Sequence, residues 1–364
     1  MRATVDAKDF SKALSSVTKV PKRSAMSVME GVLVQIKDGC CTLTATDFTT
    51  WLTTTIPAVG DNLSFVFQRP RDAAQACAYF DGELTLEVVE RSNRKDCRLQ
   101  LTMSCGPRIA QIEAFVSEDY PAMPENQVRH TYTVNAARLL ERVERVKYAL
   151  KKPDDRLEAQ RTYVQFSGNK VFALDGYRLA WDVDDSLPVE QPFMVMPDAL
   201  GYLKYFGNQE IMVSMGVNYL QMTDGAMTIQ TRIEGPLVFD IDSAVPQKFQ
   251  EEFYIHPKEF LQELDYLKKL SRGTDKTYVH FSSGQLIMRV SSGCYRTKIQ
   301  LDRASSIDFK FELHYMIDAL RQFRGEPWVK MKLNSPVAPV ILEAEGRRDF
   351  AMVLPARVNW AAAV

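Results

Sequence analysis

The chain has 364 residues, more than a single domain of ordinary size holds. Its 45 Lys and Arg against 46 Asp and Glu give a formal charge of −1, which excludes a uniformly basic nucleic-acid coat; any DNA-facing surface must be local. Apolar residues at 46% and charged residues at 25% exclude a disordered chain, a collagen-like fibre and a disulfide-rich miniprotein.

The segment Met1–Asp6 has no apolar signal core, and no stretch approaches the run of apolar residues that spans a bilayer. Cys40, Cys41, Cys77, Cys97, Cys105 and Cys294 form no C-x-x-C pair and have no histidine at zinc-ligand spacing. Reduced thiols in a cytoplasmic protein are the expectation.

In chain order, a first unit opens with Thr4-Val5-Asp6-Ala7-Lys8-Asp9-Phe10, followed by Ala13, Leu14 and Val17. A second opens with Thr133-Val134-Asn135-Ala136-Ala137-Arg138-Leu139, followed by Val143 and Val146. A third opens with Tyr254-Ile255-His256-Pro257-Lys258-Glu259-Phe260, followed by Leu264 and Leu267. Each reads as a short strand, a cap position (Asp6, Asn135, His256) and an amphipathic helix with one buried stripe. An alternating strand and a turn come next: Val32–Ile36 before Asp38-Gly39, Thr162–Phe166 before Gly168-Asn169, and Thr277–Phe281 before Ser283-Gly284. A second helix then ends near Tyr79-Phe80, Tyr205-Phe206 and Gln322-Phe323, and a strand follows at Leu84–Val89, Ile211–Met215 and Trp328–Leu333.

The same order recurs three times at domain-sized spacing. The expectation is an α+β protein of three tandem domains, 1–125, 126–248 and 249–364, each with two helices packed on antiparallel sheets. The boundaries fall at the Pro-bearing stretches Tyr120–Glu125 and Val245–Lys248.

The helices carry the basic residues. Arg138, Arg142 and Arg145 stand at i, i+4 and i+7 and share one face, which Lys151 and Lys152 extend. The first unit offers Lys8, Lys12, Lys19, Lys22 and Arg23, and the third Lys258, Lys268, Lys269 and Arg272. The second helices add Arg69, Arg71, Lys204, Arg321 and Arg324. Exposed Lys and Arg are the ordinary surface of a helix. Their recurrence on the same elements of three units suits contact with phosphates and no base readout.

Catalytic patterns are missing from the sequence. His130, His256, His280 and His314 sit in no nucleophile or metal arrangement, and there is no P-loop, no G-x-G-x-x-G after a strand and no H-E-x-x-H. The carboxylates of Asp175, Asp182 and Asp184 are not singled out as a paired acid and base. Asp175-Gly176 reads as a hairpin turn. No enzyme activity, metal or cofactor is expected.

The ordered set of repeats, with Asp119-Tyr120-Pro121 closing the first, Asp175-Gly176-Tyr177-Arg178-Leu179 in the second and Met352-Val353-Leu354-Pro355-Ala356-Arg357-Val358 near the end, resembles the bacterial sliding clamp, the beta subunit of DNA polymerase III. The likeness covers residues 1–358. It implies a head-to-tail homodimer whose six domains close a ring, with helices lining the hole and sheets outside. The implied function is sequence-independent encirclement of duplex DNA, tethering a replicative polymerase after a clamp loader opens the ring. On this likeness the candidate DNA contacts are Lys22, Arg23, Arg69, Arg71, Arg138, Arg142, Arg145, Lys151, Lys152, Lys204, Lys268, Lys269 and Arg321. It also implies a pocket for short partner peptides between the second and third domains. Its candidate residues are Leu174, Gly176, Tyr177, Arg178 and Leu179, with Tyr315, Val337, Pro339, Val353, Leu354, Pro355, Ala356 and Arg357. The alternative is a clamp-fold paralogue that binds partners without encircling DNA. Three departures mark a divergent member: Tyr177 where the family usually has His, Leu237-Val238 where it has an aromatic-Pro pair, and the extension Asn359–Val364.

Overall fold

The computed structural model describes residues 1–20, 27–90, 98–151, 161–235, 241–271, 276–291 and 293–358. Lys22, Arg23, Cys97, Lys152, Leu237, Val238, Arg272 and the extension 359–364 lie outside the described residues. The chain divides into two compact units, Met1–Arg138 with Gly201–Ile233, and Leu139–Leu200 with Glu234–Val364.

The first unit is built on one antiparallel sheet. Its helices are α1 (Ala7–Val17) and α2 (Pro70–Cys77). Asp6 caps α1 as its sequence position predicts: the carboxylate accepts from the backbone N–H of Lys8 at 2.9 Å and of Asp9 at 3.0 Å. Phe10, Ala13, Leu14 and Val17 form the buried stripe. Strand Arg2–Asp6 pairs with Glu83–Glu90, and Val32–Lys37 lies between Cys40–Thr46 and Leu63–Phe67. The hydroxyl of Tyr120 donates toward the carbonyls of Gly31 and Thr44, which ties the segment after Arg108–Phe115 to the adjacent strands Val32–Lys37 and Cys40–Thr46. Thr50–Pro57 pairs antiparallel with Met227–Glu234, a partner far along the chain, with Thr50 opposite Thr231. The hydroxyls of that pair lie 3.1 Å apart.

Helix α3 (Ala136–Val146) follows strand Val128–Asn135, and the side chain of Asn135 accepts from the N–H of Arg138 at 3.0 Å. The predicted helix ending near Tyr205-Phe206 is two pieces, a single turn α4 (Pro197–Leu200) and a 3-10 stretch Gly201–Phe206. Another short turn, α5 (Ile241–Ala244), precedes α6 (Pro257–Leu270) and α7 (Leu313–Arg321). His256 occupies the cap position of α6 but makes no side-chain cap bond. Its Nδ1 lies 2.9 Å from the carbonyl of Pro327, and its ring stacks on Trp328. Pro257 at the first helical position has no N–H to satisfy and its fixed φ suits a helix start, so the entry is set by the proline without a side-chain cap bond.

The second unit contains an eight-stranded antiparallel sheet. Its order is Val189–Val195, Val164–Gly168, Lys170–Leu174, Arg178–Val183, Phe350–Val353, Val340–Glu343, Val329–Leu333 and Glu251–Ile255. Residues from the predicted second and third repeats meet where Arg178 faces Val353 and Trp181 faces Phe350. A separate four-stranded sheet runs Gly293–Lys298, Gln285–Val290, Tyr278–Ser282 and Phe309–Glu312. Phe260, Leu264 and Leu267 of α6 and Met316, Ile317 and Leu320 of α7 fill the core with Phe253, Phe281, Phe309 and Phe311.

The described cysteines are all free. Burial pushes the thiols of Cys41 and Cys77 up to about 12, so at neutral pH they stay protonated and unreactive. Cys40 and Cys294 are exposed. Maleimide at pH 7.5, read by peptide mapping, is expected to label Cys40 and to reach Cys41 and Cys77 only after unfolding. Labelling of Cys41 in the native protein at the rate of Cys40 would contradict the burial described.

Candidate functional site

In the second unit the turn between Lys170–Leu174 and Arg178–Val183 makes one wall of a cavity of ≈ 460 Å³. Gly176 takes the left-handed backbone, φ +89°, that closes this tight turn without a Cβ penalty. Asp175 is buried, and its Oδ1 accepts from the backbone N–H of Tyr177 at 2.8 Å and of Arg178 at 3.0 Å. The ring of Tyr177 is therefore presented outward, 53% exposed, and stacks on Tyr315 with centroids 5.9 Å apart. Tyr315 stands in the first turn of α7, where Glu312 accepts its N–H at 2.9 Å as the helix cap. Burial, with Asp175 nearby, pushes the Tyr315 hydroxyl up to about 12, so the ring is neutral at every physiological pH.

The opposite wall is the segment after Phe350–Val353. The N–H of Leu354 donates to the carbonyl of Tyr177 at 2.8 Å, and that of Ala356 to the carbonyl of Lys310 at 2.7 Å. Lys310 Nζ in turn donates to the carbonyl of Val358 at 2.9 Å. Gly176, Tyr177, Tyr315, Val337, Leu354, Pro355, Ala356 and Arg357, all named from sequence, line this one cavity. Lys276, Tyr278, Glu312 and Val358, which the family likeness does not name, line it as well. Tyr278 alternates with the buried Val279 in its strand, and Glu312 is an acidic residue at a helix start; both signals were present in the sequence.

The other candidate pocket residues do not line the cavity. Leu179 and Val353 are core residues of the sheet, Leu174 packs against the core, and Pro339 is half-buried. Arg178 does not line the cavity. Its side chain is 9% exposed and is bound on both sides by carboxylates, Nε to Asp175 Oδ2 at 3.0 Å and Nη1 to Asp318 Oδ2 at 2.8 Å. Apolar and aromatic walls with a few polar groups and an open mouth can take the side chains of a short extended peptide.

The candidate DNA contacts divide by their surroundings. In the first unit Arg69, Arg71, Arg138 and Lys204 are exposed, and Lys204 Nζ lies 5.2 Å from the centroid of the Tyr205 ring. In the second unit Lys151 and Lys269 are exposed, Lys268 is half-buried, and Arg321 is exposed with Nη1 3.5 Å from Asp318. Lys268 and Lys269 sit in the last turn of α6, where the helix dipole favours cations. Arg142 and Arg145 are placed differently. Arg142 Nη1 lies 2.8 Å from Asp182 Oδ2, and Arg145 Nη1 lies 3.1 Å from the same oxygen. Asp182 is fully buried, and Asp184 and Asp349 stand 3.5 Å and 3.9 Å from the two guanidinium groups. The sequence puts these arginines on one face with Arg138; the fold covers Arg142 and Arg145 with acids on and beside the strands Arg178–Val183 and Phe350–Val353 and leaves Arg138 exposed.

Asp182 and Asp184 are thus committed to arginines, and Asp175 to the turn, which leaves none of the three poised as an acid or base. Among the described residues no group of three or more His, Cys, Asp or Glu side chains could hold a metal ion. Among them, too, no helix is long and apolar enough to cross a membrane.

No protein-family model matches the sequence, and no curated protein matches it. Solved structures do. The DNA polymerase III subunit beta from Pseudomonas aeruginosa superposes with a TM-score of 0.83 at 16% identity, over 98% of this chain and all of that one. The beta subunit from DNA polymerase of Streptococcus pyogenes gives 0.85 at 15% identity, again over 98% of this chain and all of that one. The DNA polymerase sliding clamp from Bacillus subtilis gives 0.84 at 16% identity, over 99% and 100%. With its strand-helix order, its antiparallel sheets and its agreement over nearly the whole length, the chain has the α+β fold of the bacterial sliding clamps, the beta subunits of DNA polymerase III.

Proposed function

We propose that this chain is a sliding clamp: three tandem domains, two copies joined head to tail into a ring around duplex DNA, and the Tyr177–Tyr315 cavity as the dock for short motifs of a replicative polymerase and a clamp loader. The protein works by topology and needs no catalytic group. Exposed Lys and Arg of the helices meet phosphates without reading bases, so the ring slides.

The observation that carries this reading is a repeated joint with one pair left over. Thr50–Pro57 pairs with Met227–Glu234, and Arg178–Val183 pairs with Phe350–Val353. The repeat-equivalent strands of the remaining pair are Gly293–Lys298 and Arg108–Phe115. Among the described residues Gly293–Lys298 is the edge of its sheet, and Arg108–Glu113 is paired only with strand Arg98–Cys105. Ile109 on that strand is 68% exposed. A second copy pairing these two edges would complete the third joint twice and close the assembly.

The test is solution mass by light scattering over a dilution series, run beside Cys294 labelling. A species of twice 41.4 kDa is expected, with Cys294 protected at high concentration while Cys40 stays reactive. Ile109→Lys is expected to leave the melting temperature within about 2 °C, as for an exposed surface change, and to weaken the dimer by about tenfold or more. A mass of 41.4 kDa throughout would replace the ring with a non-encircling partner-binding protein. For the cavity the probe is griselimycin, to which a sliding clamp from Pseudomonas aeruginosa is bound in a solved structure. Binding that Leu354→Asp abolishes is expected.

A further inference from the structure

We propose that Asp318, which neither lines the cavity nor reaches into it, is a positioning residue for partner binding: through Arg178 it holds Tyr177 and Tyr315 together as one preformed wall. The proposal rests on the docking role given to the cavity above.

The geometry runs from the buried carboxylate outward. Asp175, 2% exposed, accepts two backbone N–H groups of its own turn with Oδ1 and leaves Oδ2 to Arg178. A lone buried carboxylate would be costly there, and Arg178 supplies the compensating charge. The guanidinium then reaches across to α7. Nη1 donates to Asp318 Oδ2 at 2.8 Å, while the plane lies 4.7 Å from the Tyr315 ring centroid and 5.7 Å from that of Tyr148. Asp318 and Tyr315 are three residues apart on α7 and so share a face. One planar cation therefore ties the turn that carries Tyr177 to the helix that carries Tyr315, and stacks on the latter.

The rings themselves show the result. Tyr177 and Tyr315 lie 21° from parallel at 5.9 Å, although Tyr177 is half-exposed. An exposed aromatic on a three-residue turn would otherwise sample several rotamers, and ordering it when a partner arrives would cost binding energy. Holding it beforehand removes that cost. The second oxygen of Asp318 faces Arg321 at 3.5 Å, a longer and more exposed contact that leaves Arg178 as its principal partner.

Lysine cannot replace the fork. Its single ammonium cannot bind Asp175 and Asp318 at once in this geometry, nor stack as a plane on Tyr315. Arg178→Lys keeps the charge near Asp175 and breaks the tie to α7, so it separates positioning from simple charge balance.

The experiment uses the full chain. Griselimycin affinity is measured by calorimetry for wild type, Asp318→Ala, Arg178→Lys, Tyr177→Ala and the double variant Asp318→Ala/Tyr177→Ala. Near-ultraviolet circular dichroism of the unliganded proteins and thermal melts run alongside. Asp318→Ala is expected to weaken binding by about tenfold while remaining folded, its melting temperature lowered only modestly because Asp175 still balances Arg178, to add little in the Tyr177→Ala background, and to reproduce the tyrosine spectral change of Tyr177→Ala. Arg178→Lys is expected to match it. Unchanged affinity and spectrum in Asp318→Ala would overturn the proposal, as would losses that simply add in the double variant. If wild type does not bind griselimycin, the docking role fails with that probe. The spectra of the unliganded variants then decide the brace on their own: a shared tyrosine change upholds it, and none removes it.

Discussion

Replacing Asp182 with alanine is expected to destabilise the second unit by about 3 kcal/mol, the low end of the range for breaking a buried ion pair. The reason is the count of charges left behind. Asp182 is fully buried and its Oδ2 faces both Arg142 Nη1 at 2.8 Å and Arg145 Nη1 at 3.1 Å, while Oδ1 accepts the N–H of Val183 at 2.8 Å. Removing it leaves two cations whose side chains are only 18% and 25% exposed. Asp184 at 3.5 Å and Asp349 at 3.9 Å compensate in part, and Glu141 holds Arg145 from the helix side at 2.5 Å, which keeps the loss from being larger. Asp349 is itself shared with Arg347: burial opposes the charge on that guanidinium, and its hydrogen bonds to Asp349 and Glu326 outweigh the burial and hold it charged. Urea unfolding followed by far-ultraviolet circular dichroism measures the difference. Asp182→Asn, which keeps an acceptor and loses the charge, is expected to fall between wild type and Asp182→Ala. A change below about 1 kcal/mol for Asp182→Ala would mean that the cluster behaves as an ordinary surface pair.

That cluster also marks where reading the sequence stops. The strand-helix openings at Val5, Val134 and Ile255 were legible because apolar spacing and a polar cap act over a few residues, and Asp6 and Asn135 cap as their positions require. His256 fits the same slot, but its ring turns to Trp328 and its Nδ1 to the carbonyl of Pro327, so it makes no cap bond. The spacing of Arg142 and Arg145 on α3 was equally plain, yet the acid that neutralises them comes from a strand some way along the chain, and no local pattern announces it. The joints are the same case. Thr50–Pro57 carries no sign that its neighbour is Met227–Glu234, because register between distant strands is set by how whole repeats dock. The cavity was half legible. Tyr177, Val337 and the run Leu354–Arg357 were placed by family likeness, and all of them line it. Arg178 belongs to the same motif, but its neighbourhood turns it away from the opening, between Asp175 and Asp318.

Neutralising Arg71, Lys204 and Lys269 together is expected to cut affinity for duplex DNA of any sequence by about a hundredfold at low salt and to flatten its salt dependence. All three are exposed, on α2, on the 3-10 stretch after α4 and on the last turn of α6. Each phosphate contact releases a condensed counterion and contributes roughly −0.9 to the slope of log affinity against log salt, so three contacts account for about −2.7. Arg145→Ala is the contrasting control. Its cation is already neutralised by Asp182, so the slope is expected to stay as in wild type while unfolding shifts to lower urea. Binding is followed by fluorescence anisotropy on a linear duplex between 20 and about 200 mM salt, below the range where screening removes surface contacts. If Arg145→Ala flattens the slope as much as one of the exposed cations does, the acid cluster must open on DNA, and the basic face drawn from the sequence would be restored in full. If the triple variant leaves the slope unchanged, the exposed cations of these helices do not meet phosphate, and a closed ring of two copies would have to be encircling something other than DNA.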